Sequence, residues 1–79
     1  MSSTKADLRQ LFGDHVRKIR LEKGLTLRAV ATRCDIDNSH ISKIENGRLD
    51  IQISKLFQLA KGLGVQPKEL LDFEINLEE

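Results

Sequence analysis

Apolar residues recur at helical spacing along most of this chain. Leu8, Leu11, Phe12, Val16 and Ile19 share one face of a first helix. It begins after Thr4, whose hydroxyl can cap it, with Asp7 near its positive end. Gly24 suits the left-handed residue that ends a helix, and Leu25 can fold back on Ile19. Gly13 lies inside this helix, at a cost of about 1 kcal/mol relative to alanine. Either it allows a close helix contact or it is only tolerated.

A second helix, capped by Thr26, is predicted from about Leu27 to Arg33, with Leu25 and Val30 as its hydrophobic staple. Val30 and Ala31 face the core, and Ala29 and Ala31 let another helix pass close. Cys34 to Ile36 form a tight turn. The third helix starts after the cap Asp37, with Ile36 and Ile41 as staple, and Gly47 ends it. A fourth spans about Gln52 to Leu63, with Ile53, Leu56, Phe57, Ala60 and Leu63 at helical spacing and Gly64 as its stop. A short fifth begins at Pro67, a favoured first helical residue, with Glu69 near its start and Val65–Leu70 as staple. The segment Phe73 to Leu77 alternates like a strand, yet Phe73 and Leu77 would also align on a helix. These elements predict an all-α domain, a compact five-helix bundle over residues 1–72, followed by a short acidic tail, 73–79.

Seventy-nine residues suffice for one small domain, which buries only about 60% of its unfolded surface. One cysteine excludes a disulfide framework and suits a reducing cytoplasm. Cys34, His15 and His40 make no plausible zinc site, and no cofactor is expected. No apolar run is long enough to span a membrane, and with charges throughout residues 1–20 no signal peptide is expected. There is no nucleophile–base pairing and no glycine-rich phosphate loop, so an enzyme is not expected. The net charge is only +1, but residues 1–68 hold all 13 Lys/Arg against 7 Asp/Glu, and residues 69–79 hold 5 Asp/Glu and no base. A basic body with an acidic tail suits a polyanion-binding surface kept apart from a segment with another task.

The third helix carries the functional signal. Ile41 and Ile44 dock it on the domain. The opposite side presents Asn38, Ser39, Ser42 and Lys43, short hydrogen-bonding groups in place of the usual Glu/Lys mixture. Such a face suits a helix lying in the DNA major groove and reading base edges. Asn38 can pair with the N6 and N7 edge of adenine, and Lys43 can reach guanine or a phosphate. His40, at the edge of this face, either donates to a phosphate or packs beside the second helix. Thr26, Arg28, Asn46 and Arg48 are the further phosphate candidates, the first two because a helix start offers free N–H groups. Cys34 reads as a small, inert filler by the turn.

Taken together, Val16 to Thr26, the helix–turn–helix itself, Ile41-Ser-Lys-Ile-Glu-Asn-Gly47, Leu56 to Val65 and Glu69-Leu-Leu71 resemble the Cro/CI-type (Xre) helix-turn-helix DNA-binding domains. The similarity covers about residues 8 to 72. It implies base contact at the exposed start of the third helix, where Asn38 and Ser39 sit. It also implies that Arg20 and Glu45 form a partly buried ion pair joining the first helix to the third. The chain departs from the family where Leu27 follows the Thr26 cap in place of Gln or Ser, a contact Arg28 can take over. Ala29 replaces a common Glu, so the reciprocal capping box is absent, and Ile51-Gln52 replaces a Ser-Pro-Ser-like start.

The expected function is a sequence-specific transcription regulator in the cytoplasm, a repressor or the controller of a restriction–modification operon. It would act as a homodimer on a near-palindrome, because one copy reads too few base pairs to outcompete a genome of non-specific sites. The alternative is an antitoxin whose acidic tail engages a toxin. Double-stranded DNA and a second copy are the expected partners, with RNA polymerase or a toxin as further ones. Two surfaces compete for the dimer interface: that of the fourth and fifth helices, and the tail row Phe73, Ile75 and Leu77.

Overall fold

The computed structural model describes residues 5–74. Thr4, the expected first cap, and Ile75 and Leu77 of the tail lie outside that range. Four α-helices follow in order: α1 (Lys5–Glu22), α2 (Leu27–Ala31), α3 (Asn38–Glu45) and α4 (Ile53–Leu63), then a 3-10 helix (Pro67–Leu71). All described secondary structure is helical. The core is the set of apolar faces the spacing picked out: Phe12 and Val16 of α1, Val30 of α2, Ile41 and Ile44 of α3, Leu56, Leu59, Ala60 and Leu63 of α4, with Ile36 and Leu70.

Local chemistry sets the helix ends. The Thr26 hydroxyl accepts from the Ala29 N–H at 3.0 Å, and the Asp37 carboxylate accepts from the His40 N–H at 2.8 Å. Each side chain satisfies an N–H that has no partner within its helix. Gly64, at φ +74°, ends α4 in the left-handed conformation that a glycine adopts without strain. α2 is shorter than its pattern suggested. The Thr32 hydroxyl donates to the Ala29 carbonyl, and the Arg33 N–H bonds back only three residues to Val30, so the helix tightens into the turn. That turn is held from outside by Gln58 of α4, whose Oε1 accepts the Asp35 N–H at 3.1 Å.

The fifth element differs from the expected α-helix in its winding. Its Glu69 N–H bonds to Gln66 O at 2.9 Å, an i to i−3 bond, and the Glu69 carboxylate accepts the Gln66 N–H at 3.0 Å. Continuation as an α-helix would bring the Phe73 N–H to the Glu69 carbonyl. Instead that carbonyl accepts the Asp72 N–H at 3.4 Å, an i to i−3 bond, together with His15 Nε2 of α1 at 2.8 Å, and the Phe73 N–H turns to Leu71. A tertiary bond thus shares this carbonyl with the helical one.

Three apolar positions are exposed where the spacing predicted burial: Leu11 of α1, and Ile53 and Phe57 of α4. The core contacts of α4 run through Leu56, Leu59, Ala60 and Leu63, which leaves Ile53 and Phe57 on a second stripe facing solvent. Two glycines set how closely helices approach. A Cβ on Gly13 would overlap the Ile44 carbonyl oxygen and lie 2.7 Å from that of Glu45. A Cβ on Gly62 would lie 2.9 Å from the Val30 carbonyl oxygen and 3.0 Å from Cys34 Sγ. Gly13 is therefore a close-contact glycine, which brings α1 onto the end of α3.

Candidate nucleic-acid interface

α3 is held from one side and open on the other. Ile41, Ile44 and Glu45 are buried, while Asn38, Ser39 and Lys43 are exposed and Ser42 is half-buried at the edge. Residues three and four apart stack on a helix, so these four polar residues occupy one face. Ser39, Ser42 and Lys43 line a shallow, open depression of about 350 Å³ together with Asn46 and Arg48, which follow α3. Three of the four base-reading candidates and two of the phosphate candidates therefore share one surface. Asn38, at the first position of α3, is exposed but does not line the depression.

The remaining phosphate candidates lie elsewhere. Thr26 and Arg28 are exposed at the start of α2, with the Thr26 oxygen engaged as the cap. His40 is half-buried, one residue beyond the exposed Ser39. Asn46 is oriented by its own helix: its Nδ2 donates to the Ser42 carbonyl at 2.9 Å and to Ser42 Oγ at 3.4 Å.

Below this face lies the ion pair that the family resemblance implied. Arg20 Nε meets Glu45 Oε2 at 2.7 Å, Nη2 meets Oε1 at 3.0 Å, and Nη1 donates to the Leu25 carbonyl at 2.9 Å. One guanidinium thus connects α1, the last residue of α3 and the entry to α2. The hydrogen bonds to the Glu45 carboxylate hold Arg20 in its charged form, above its ordinary value. Glu45 is buried at the end of α3, where a single charge would be costly and a two-point pair is less so.

Asp37 does more than cap. The carboxylate oxygen that accepts the His40 N–H also accepts the Ser39 hydroxyl at 3.0 Å. The backbone hydrogen bond from His40, then the Ser39 hydroxyl, hold Asp37 below the usual carboxylate range. Sequence reasoning identified the cap and missed its second partner. The signal was present in the Asp-x-Ser spacing, but only the side-chain geometry distinguishes it from a free serine. Gln58, which holds the turn, carries no sequence signal, because its role depends on where α4 crosses.

The tail candidates separate. Phe73 is half-buried against the core of its own domain, its ring centroid 5.2 Å from that of His15 at a tilt of 47°. Ile75 and Leu77 lie outside the described residues. Among the described residues, no three His, Cys, Asp or Glu side chains are grouped as metal ligands, and no helix is long and apolar enough to cross a membrane.

Two short helices joined by a tight turn, the second presenting a polar face over a buried ion pair, define a helix-turn-helix domain. The chain belongs to that family: the Helix-turn-helix family model matches residues 16–70. It is similar to the control protein C.BamHI of Bacillus amyloliquefaciens, 43% identical over 68 residues that make up 85% of this chain and 84% of the relative. It is also similar in structure to the restriction-modification controller protein C.AhdI from Aeromonas hydrophila, at a TM-score of 0.75 and 29% identity, over 78% of this chain and 94% of that one. A third likeness is to the restriction-modification controller protein C.Esp1396I, solved as a tetramer in complex with its natural 35 base-pair operator. There the TM-score is 0.71 and the identity 33%, over 82% of this chain and 96% of that one.

Proposed function

We propose that this protein is a sequence-specific transcription regulator of the restriction–modification controller type. It binds operator DNA in the cytoplasm as a homodimer, with α3 in the major groove. The observation that carries this reading is the division of α3 into a docked face, Ile41, Ile44 and Glu45, and an open polar face, Ser39, Ser42 and Lys43, continuous with Asn46 and Arg48. The polar side chains of α3 would meet base edges, and Asn46 and Arg48 would meet the flanking phosphates, which position the protein without reading sequence. The likeness to an operator-bound controller supports the same assignment.

The second copy is best seated on α4 and the 3-10 helix. Ile53 is 71% exposed, Phe57 55% and Leu71 56%, three large apolar side chains on adjoining elements. Where such side chains join into one patch, that patch is a site of interaction in soluble proteins. Phe73 already packs on its own core, which leaves the helical face as the stronger interface. Two copies related by a two-fold axis would place their reading helices about 34–36 Å apart, one turn of DNA.

Selection of bound duplexes from random DNA tests the reading. A near-palindromic consensus with half-sites about 10 base pairs apart is the expected result. Binding without any enriched sequence would refute it.

A further inference from the structure

The hydroxyl of Ser39 is polarised by its neighbour. A serine hydroxyl ordinarily has one proton to donate and lone pairs to accept with, so it can read either kind of base group. Ser39 does not have that freedom. Its Oγ lies 3.0 Å from Asp37 Oδ1, and an ionised carboxylate can only accept. Asp37 is held ionised by two hydrogen bonds to the same oxygen, from the His40 N–H and from Ser39 itself. The proton of Ser39 therefore points back to the cap, and only lone pairs face outward. Ser42, one turn further on, is arranged the other way. Its oxygen faces the donor Nδ2 of Asn46, so its own proton remains available. The orientation of that amide follows from the Ser42 carbonyl, 2.9 Å from Nδ2, which an amide oxygen would repel.

In the major groove the donors are the exocyclic amino groups, N6 of adenine and N4 of cytosine, whereas O6 and N7 of guanine and O4 of thymine accept. We propose that Asp37 fixes the hydroxyl proton of Ser39 and so makes Ser39 a reader of exocyclic amino groups, selecting adenine or cytosine over guanine or thymine at one base of each half-site. Asp37 acts as a positioning residue; Ser39 makes the contact. The proposal rests on the reading that α3 lies in the major groove, and it adds the chemical class of the base that one residue accepts.

The test uses the full chain and the duplex that it selects from random DNA. The selection is repeated with Ser39→Ala, and the position at which preference relaxes is the base coupled to Ser39. That base should be adenine or cytosine. Replacing it by the analogue that lacks only the amino group should weaken wild-type binding roughly five- to hundredfold and barely affect Ser39→Ala. Asp37→Asn should keep the wild-type preference, because one amide oxygen can accept from both His40 and Ser39. Asp37→Ala, checked for helical content, should lose it. A guanine or thymine coupled to Ser39, or an analogue that weakens wild type and Ser39→Ala equally, overturns the proposal while leaving sequence-specific binding intact. A wild-type chain that enriches no sequence overturns both.

Discussion

Arg20 and Glu45 meet in a two-point ion pair, Nε to Oε2 at 2.7 Å and Nη2 to Oε1 at 3.0 Å, and so bind α1 to the last residue of α3. The side chains are 11% and 5% exposed, which decides how the pair behaves under mutation. An exposed pair would contribute little. Here, removing one partner strands the other's charge away from water. Glu45→Ala or Arg20→Ala should cost about 3–5 kcal/mol in chemical denaturation. The double variant Arg20→Met, Glu45→Leu should lose clearly less than the two single losses combined, since neither charge is then stranded. Additive losses would show that the two side chains act independently.

Gly13→Ala sets two effects against each other. Alanine favours a helix interior by about 1 kcal/mol over glycine. The new methyl, however, would overlap the Ile44 carbonyl oxygen and lie 2.7 Å from that of Glu45. These are backbone atoms of α3 and cannot swing aside. Overpacking of this kind costs about 1–3 kcal/mol and more where the backbone must shift, so net destabilisation is expected. Thermal unfolding measures it; a raised Tm would mean that α1 and α3 are not closely packed there.

Arg48→Ala and Asn38→Ala should weaken DNA binding in different ways. Arg48 borders the depression beyond α3, where a phosphate contact carries no base information. Its loss should weaken all sequences alike and lower the salt slope by about one. Asn38, exposed at the start of α3, should cost about 1–3 kcal/mol on the operator and relax one base per half-site. Binding measured at several salt concentrations, on operator and random duplexes, separates the two. An unchanged salt slope in Arg48→Ala would remove it from the interface.

Phe57→Asp should shift the protein towards monomer while leaving its helical content intact, because Phe57 is 55% exposed and outside the core. Truncation after residue 74 should have the smaller effect. Sedimentation at matched concentrations checks both. A truncated monomer beside a dimeric Phe57→Asp would move the interface to the tail.

Acid should loosen the start of α3. The Asp37 carboxylate is held below its ordinary range by the His40 N–H and the Ser39 hydroxyl. A depressed folded-state value contributes stability that is fully present above the unfolded-state value, about 4, and is lost as pH falls through the folded one. Asp37→Asn should keep the cap and remove that component of the pH dependence. Stability followed by circular dichroism from pH 7 to pH 2 tests this, and parallel acid limbs for the two proteins would contradict it.

Periodicity and capping residues were enough to order this chain into helices. Thr26, Asp37 and Gly64 act on N–H and C=O groups within a few residues, so their effect is written locally and the helix boundaries fall close to where those residues stand. The polar face of α3 was equally legible, because a docked helix must put Ile41 and Ile44 inside and therefore Ser39 and Lys43 outside. The tertiary structure decided what depends on the rotation and distance of whole helices. α4 carries more apolar residues than one core face can cover, and only packing selected Leu59 for burial and left Ile53 and Phe57 to solvent. Gly13 reads the same whether it is tolerated or required until α3 is laid against it. The hydrogen bond from His15 to the Glu69 carbonyl, 54 residues away in sequence, forms only when the 3-10 helix is laid against α1. Asp37 and Ser39 are two residues apart, but which of their atoms share a proton is a matter of side-chain geometry. Local hydrogen bonding and spacing are properties of a short segment; close approach, exposure and hydrogen-bond direction arise only when segments meet.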